Sequence, residues 1–445
     1  MATIAFCVAP MAGPVNGALH LAKSLRGRGH RVVFYGMLDV EDFVEPDGFP
    51  FVPVHGAWFP KGCLNAWRSS AAGPVRTFLA RRRSVMDYRA YFDFLLAGGE
   101  AEFLAALDTM KPDLLVVDGS IRPTWALLAH RGGVPSAYLH TTMPPADDGH
   151  RPPAFSTIVP DDSPETERRI RKAWRRHHRQ RAAIIRTQSL LGFGFDWIAY
   201  ARKLAQRWHY PLDKLNTRTM FSVLLDWPEL ILFPRAFEFP GPDDGRRIYV
   251  DGAIDLGRAE PPMSWDRVDP AKPLVYASFG SLHGRPGFVR LMMALASARP
   301  GWQLVVNVGP GRRAETYGDV PPNCLLLDGA PQLQLLPRAA AMVTHGGINS
   351  VRECIHFHVP MVVFPLTFDQ PGTAARVCYH RLGVAGDLGK ATPAGVAALV
   401  ERVLGDAAVR ANLDRMAAAF AAAETQQLAV HAIERMAGAM TGRTS

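Results

Sequence analysis

The sequence predicts an α/β protein made of two doubly wound parallel-sheet domains. Three stretches carry that expectation. The first is an apolar run from Thr3 to Ala9, a turn at Pro10 to Gly17, a helix pattern from Ala18 through Leu25, and a second apolar run at Val32-Val33-Phe34. This strand–turn–helix–strand order opens a doubly wound sheet. The second is residues 341–370, where the order recurs: Met342-Val343, a turn at His345-Gly346-Gly347, a helical face of Ile348, Val351 and Ile355, and a buried-strand pattern from Val359 to Phe364 closed by Pro365. The third is Pro234 to Pro262, crowded with Pro, Gly and charge, which reads as an interdomain linker. A chain of 445 residues is long enough for two to three separate cores. The expected division is residues 1–234, a linker at 235–262, and a second domain at 263–424.

Composition narrows the class. A hydrophobic fraction of 48% with 20% charged residues is that of an ordinary globular protein. The five cysteines form no C-x-x-C pair and no metal-like spacing with His, a usage that suits reduced thiols in a cytosol. No apolar run approaches a membrane span, and the N-terminus enters a strand at once, so a cytoplasmic location is expected. The net charge of +9 suits acidic partners, namely nucleotide sugars, anionic lipid or nucleic acid. No nucleic-acid motif accompanies it.

The polar residues of 341–370 gather on one edge. Gly346 and Gly347 let a ligand approach the backbone, and the helix that starts there offers N–H groups and a positive dipole end to an anion. Asn349 and Ser350 add donors in the first turn. Glu353, one turn on, can accept two hydrogen bonds from a vicinal diol such as ribose. Asp369 and Gln370 follow the next strand, where open α/β sheets bind ligands, and suit several sugar hydroxyls. Diphosphate, ribose and hexose in that order make a nucleotide sugar.

His345-Gly346-Gly347-x-Asn349-Ser350-x-x-Glu353, followed by Pro360, Pro365 and Asp369-Gln370, resembles the donor-binding signature of the UDP-glycosyltransferases with the GT-B fold. Asp369-Gln370-Pro371-Gly372, Arg376 to His380, and Ala277-Ser278-Phe279-Gly280-Ser281-Leu282-His283-Gly284 resemble the zeaxanthin glucosyltransferase branch. The resemblance implies an acceptor-binding first domain, a nucleotide-sugar-binding second domain, and a last helix (425–445) returning to the first. It implies that Ser281 reaches the phosphates, that Gly13 belongs to the turn facing them, and that Gln332 lies near the base. The donor, UDP- or dTDP-hexose, is then a co-substrate, with no further cofactor and no metal.

Two departures stand out. The family carries Gly-His in the first turn, its His being the general base; here Gly13 is followed by Pro14, which accepts no proton. Base assistance is typically worth ~10²–10⁴-fold. The acceptor is therefore a nitrogen or an acidic hydroxyl, or another residue supplies the base, or the protein binds donor without turnover. Asp118, ending Leu114 to Val117, and His140, ending Val134 to Leu139, are the candidates at strand ends beside the cleft. In relatives an Asp at the place of Asp118 orients the missing His. Second, relatives often stack an aromatic on uracil three residues before the matching Gln; this chain has Gly329, which leaves uracil or thymine open.

Aromatics between 55 and 100 (Trp58, Phe59, Trp67, Phe78, Tyr88, Tyr91, Phe92) suit a lipophilic or aromatic acceptor or, for most, ordinary core packing. Thr141 to Asp162, polar and Pro-rich, reads as a long acceptor-side loop. The basic stretch 165–186 can rest on anionic headgroups or be a solvated helix face. The resulting expectation is an inverting, metal-independent hexosyltransferase acting on a small natural-product acceptor. A silent sugar-nucleotide binder and a GT-B-fold epimerase are the alternatives. The oligomeric state is open.

Overall fold

The computed structural model describes residues 1–63, 74–121, 123–144, 147, 149–219, 224–242, 245–280, 286–309 and 313–441. The first sheet is β1 (Thr3–Cys7), β2 (Arg31–Gly36), β3 (Phe51–Pro53), β4 (Leu114–Asp118), β5 (Ser136–His140), β6 (Glu229–Ile231) and β7 (Arg247–Tyr249), in spatial order β3-β2-β1-β4-β5-β6-β7. The second is β8 (Leu274–Ser278), β9 (Gln303–Asn307), β10 (Cys324–Leu327), β11 (Ala339–Thr344), β12 (Met361–Val363) and β13 (Gly383–Ala385), in order β10-β9-β8-β11-β12-β13. Every described pairing in both is parallel. Each sheet reverses direction once, between β1 and β4 and between β8 and β11. Doubly wound sheets bind ligands at such a switch, beyond the strands' C-terminal ends.

The central strands are largely apolar because helices cover both faces, and the period-two pleat splits them between two cores. Ala5, Cys7, Val33, Tyr35 and Val117 face one core, while Ile4, Phe6, Val32, Phe34 and Val116 face the other. The second sheet repeats this with Val275, Ala277 and Val343 against Leu274, Tyr276 and Met342. The latter core also takes in Met143, Ala154, Ile231, Phe233 and Phe237, so apolar packing runs from one half into the other. The helix Leu428–Thr441 returns to the first sheet, burying Ala429, Val430 and Ile433 beside Ala18, Ala22 and Leu25.

Three details differ from expectation. The first helix spans Ala12–Gly27, so it starts six residues before Ala18. Pro14 is compatible with that start because a first-turn residue has no helical N–H bond to lose. The stretch 235–262 contains β7, which pairs with β6 and so belongs in part to the first sheet. Its three residues are too few to show a strand pattern among Pro and Gly. Of the aromatics, Phe59, Tyr91 and Phe92 are buried in the core and Phe78 is exposed, while Trp67 lies outside the described residues.

Candidate functional site

The turn after β11 is shaped by its glycines. Gly346 has φ +81°, and a Cβ there would lie 2.6 Å from Val363 Cγ1 on β12. The His345 ring rests where a Cβ on Gly280, after β8, would come within 2.7 Å of it. These two strand ends thus close tightly around one imidazole at the second switch point. Gly347 caps the helix Ile348–His356, whose first-turn N–H groups have no helical carbonyl to meet. Ser281 lies outside the described residues.

From the first half, the start of the helix Ala12–Gly27 meets this helix directly. Asn349 Nδ2 donates to the Gly13 carbonyl at 2.9 Å, and Arg352 donates to Asn349 Oδ1 and to the Leu232 carbonyl at 2.8 Å. Arg352 is buried, and desolvation pulls its guanidinium down to about 10. Asn349, expected as a phosphate donor, is therefore engaged in joining the two switch points.

Glu353 is buried and already paired. Arg258, from the chain between β7 and β8, donates through both terminal nitrogens, and Gln332 Nε2 donates at 2.6 Å. The same Gln332 Nε2 reaches Ser350 Oγ at 3.2 Å, while Gln332 Oε1 accepts from Tyr276 at 3.2 Å. Gln332, Ser350 and Glu353 are thus one network. Asp369 Oδ2 accepts the Met143 N–H at 2.9 Å from the first half. Gln370 Oε1 accepts from the Leu366 and Thr367 N–H groups at 2.9 and 3.0 Å and so braces the turn before its helix, Gln370–Tyr379.

Asp118 is fully buried at the end of β4. Its oxygens accept the Ala9 N–H at 3.2 Å, the Ser120 N–H at 2.9 Å and the Ser120 hydroxyl at 2.8 Å. Burial still pushes its carboxyl above the ordinary range against those donors. His140, buried at the end of β5, packs its ring against Gly119 and stands 3.5 Å from Glu229. Burial alone would raise Glu229, but His140, Arg246 and Arg247 bring it down to about 2. Asp118 thus touches the chain just before the helix that carries Gly13 and Pro14, while His140 packs behind it on Gly119.

Residues 298–436 match the family model for the C-terminal domain of erythromycin biosynthesis protein CIII-like proteins. The chain is 27% identical to demethyllactenocin mycarosyltransferase of Streptomyces fradiae, over 94% of this chain and 82% of that one. It is 26% identical to zeaxanthin glucosyltransferase of Pantoea ananas, over 86% and 84%. The chain is a GT-B glycosyltransferase. The fold of this glycosyltransferase matches that of the crystallised kitacinnamycin glycotransferase at a TM-score of 0.70 and 24% identity, over 98% and 99% of the two chains. The matched family model is named for erythromycin biosynthesis, and both relatives are named for the transfer of a sugar. Arg258 escaped the sequence reading, since Leu256-Gly257-Arg258-Ala259-Glu260 carries no pattern that singles it out.

Proposed function

We propose that this glycosyltransferase moves a hexose from a UDP- or dTDP-sugar to a small lipophilic or aromatic acceptor, in one inverting displacement and without a metal. The Asn349–Gly13 hydrogen bond carries the reading, because it sets the anion-binding helix end directly against the first switch point. The diphosphate would lie on the first turn at Gly347 and Ile348, with His345 and Ser350 opposing the charge that develops as it leaves. Asp369 and Gln370 would hold the hexose. Relatives named for mycarosyl and glucosyl transfer support a hexose-sized donor.

Pro14 leaves the acceptor's proton to another group. We assign that role to Asp118: its carboxylate accepts the Ala9 N–H just before the first helix, and burial raises its pKa, which supports a more basic group there. The test incubates the protein with nucleotide sugars, candidate acceptors and EDTA, and reads glycosylated product and its anomeric configuration. Transfer with inversion is expected to persist under EDTA, and Asp118→Asn is expected to lower it at least tenfold on a hydroxyl acceptor. A retained anomer, dependence on metal, or an unchanged Asp118→Asn rate would each remove the corresponding part.

We also propose a peripheral contact with anionic lipid. The helix Pro164–Leu191 holds nine Lys/Arg against two acidic residues, and Pro74–Leu96 holds five against two. Their joint surplus of ten exceeds the +9 of the whole chain, so the rest is slightly acidic. The two helices pack together and expose Val75, Phe78, Leu79, Ile184 and Leu190, with Phe193 just beyond. Basic charge beside exposed apolar side chains suits a headgroup layer. Among the described residues no helix is long and apolar enough to cross a membrane. Sedimentation with vesicles of about one-third phosphatidylserine is expected, and replacing Arg81, Arg82 and Arg83 by Gln should weaken it at least tenfold, at roughly 1 kcal/mol per cation. Equal binding to neutral vesicles would sink the idea.

A further inference from the structure

We infer that Arg258 sets which pentose the nucleotide site accepts, favouring a 2′-deoxyribonucleoside diphosphate over its ribo counterpart; this rests on the nucleotide-sugar reading above. A carboxylate offers about four lone-pair sites on its two oxygens. Among the described residues three are taken on Glu353: Oε1 accepts from Arg258 Nη1, and Oε2 accepts from Arg258 Nη2 at 3.1 Å and from Gln332 Nε2 at 2.6 Å. One site remains, on Oε1.

The partners are held from behind. Arg258 Nη2 also donates to Glu260 at 3.1 Å, and both oxygens of Glu260 accept the Leu333 N–H at 3.0 Å. Tyr276 fixes the far end of Gln332. The side chains of Glu353, Glu260 and Arg258 are 4, 9 and 20% exposed, so water does not readily replace a partner that leaves. A ribose presents two adjacent hydroxyl donors to this carboxylate. The first fits the remaining site, and the second either meets a filled oxygen or displaces Arg258 from Glu353. A 2′-deoxyribose presents only its 3′-hydroxyl, which the remaining site satisfies. The usual gain from a diol on a free carboxylate is lost here. The diol's second hydrogen bond, which a bare Glu353 would accept, is worth roughly tenfold in affinity.

The test uses UDP and dUDP, which differ only in the 2′-hydroxyl, titrated calorimetrically into the full chain. The expected result is dUDP binding as tightly as UDP or more tightly. In Arg258→Ala, and in Arg258→Gln should the alanine variant fold poorly, the ratio should move toward UDP by about tenfold. A residue that only supports the fold would weaken both nucleotides alike and leave the ratio where it was. UDP binding tenfold tighter than dUDP in the natural chain, or a ratio unmoved by either substitution, overturns the assignment of Arg258 and leaves the donor site standing. Binding of neither nucleotide overturns the donor-site reading and this inference together.

Discussion

Replacing His345 by alanine is expected to slow sugar transfer by about 10²–10³-fold, the usual cost of removing one preorganised group that opposes developing negative charge. The ring is seated at the end of β11, over Gly280 and beside the first turn of the helix Ile348–His356. It is half-buried, and its position follows from two strand ends rather than from a mobile loop. In the proposed reading the charge it opposes grows as the bond to the diphosphate breaks, so the effect should fall on kcat more than on affinity for the intact donor. Single-turnover rates with saturating donor, alongside melting temperatures, read the two contributions apart. A loss below about threefold, or one that tracks a fallen melting temperature, would take His345 out of the chemistry.

Gly346→Val is expected to destabilise the second domain by about 2–5 kcal/mol. A left-handed backbone costs a non-glycine residue ~1–2 kcal/mol. The new Cβ would press within 2.6 Å of Val363, which is wholly buried on β12 and has nowhere to retreat, and overpacking of this kind costs ~1–3 kcal/mol. Because this turn sets the start of the helix, donor binding should fall with stability. Gly287→Ala makes a clean comparison, since a Cβ there meets nothing within 4 Å. Urea unfolding of both variants decides the matter, and equal midpoints would mean the turn relaxes around the added atoms.

Much of the architecture can be read from local pattern. The runs at Thr3 to Ala9, Leu114 to Asp118 and Leu274 to Ser278 each hold a strand, the first ending at Cys7, because a strand buried on both faces must be apolar at nearly every position. The Gly-Gly turn and the helix after it are equally plain, since the left-handed backbone of Gly346 favours glycine. Less was visible where a signal is short or a residue has two uses. The triplet Arg247–Tyr249 pairs as β7 only because β6 lies beside it. Pro14 looked like a turn residue and is the third residue of a helix, a position that accepts proline as readily as a turn does.

The sequence by itself determined two doubly wound sheets, a glycine turn against a helix end, and a proline at position 14 that accepts no proton. These depend on backbone sterics and on apolar period, which act over a few neighbouring residues. Only the tertiary structure decided how the polar residues of the site are spent: Asn349 on Gly13, Asp369 on Met143, Asp118 on Ala9, and Glu353 on Arg258. Three of those four pairs bridge more than a hundred residues, and the fourth, Arg258 with Glu353, nearly as many. A hydrogen bond is settled by which donor arrives within about 3 Å, and that is known only once both sheets have folded and met.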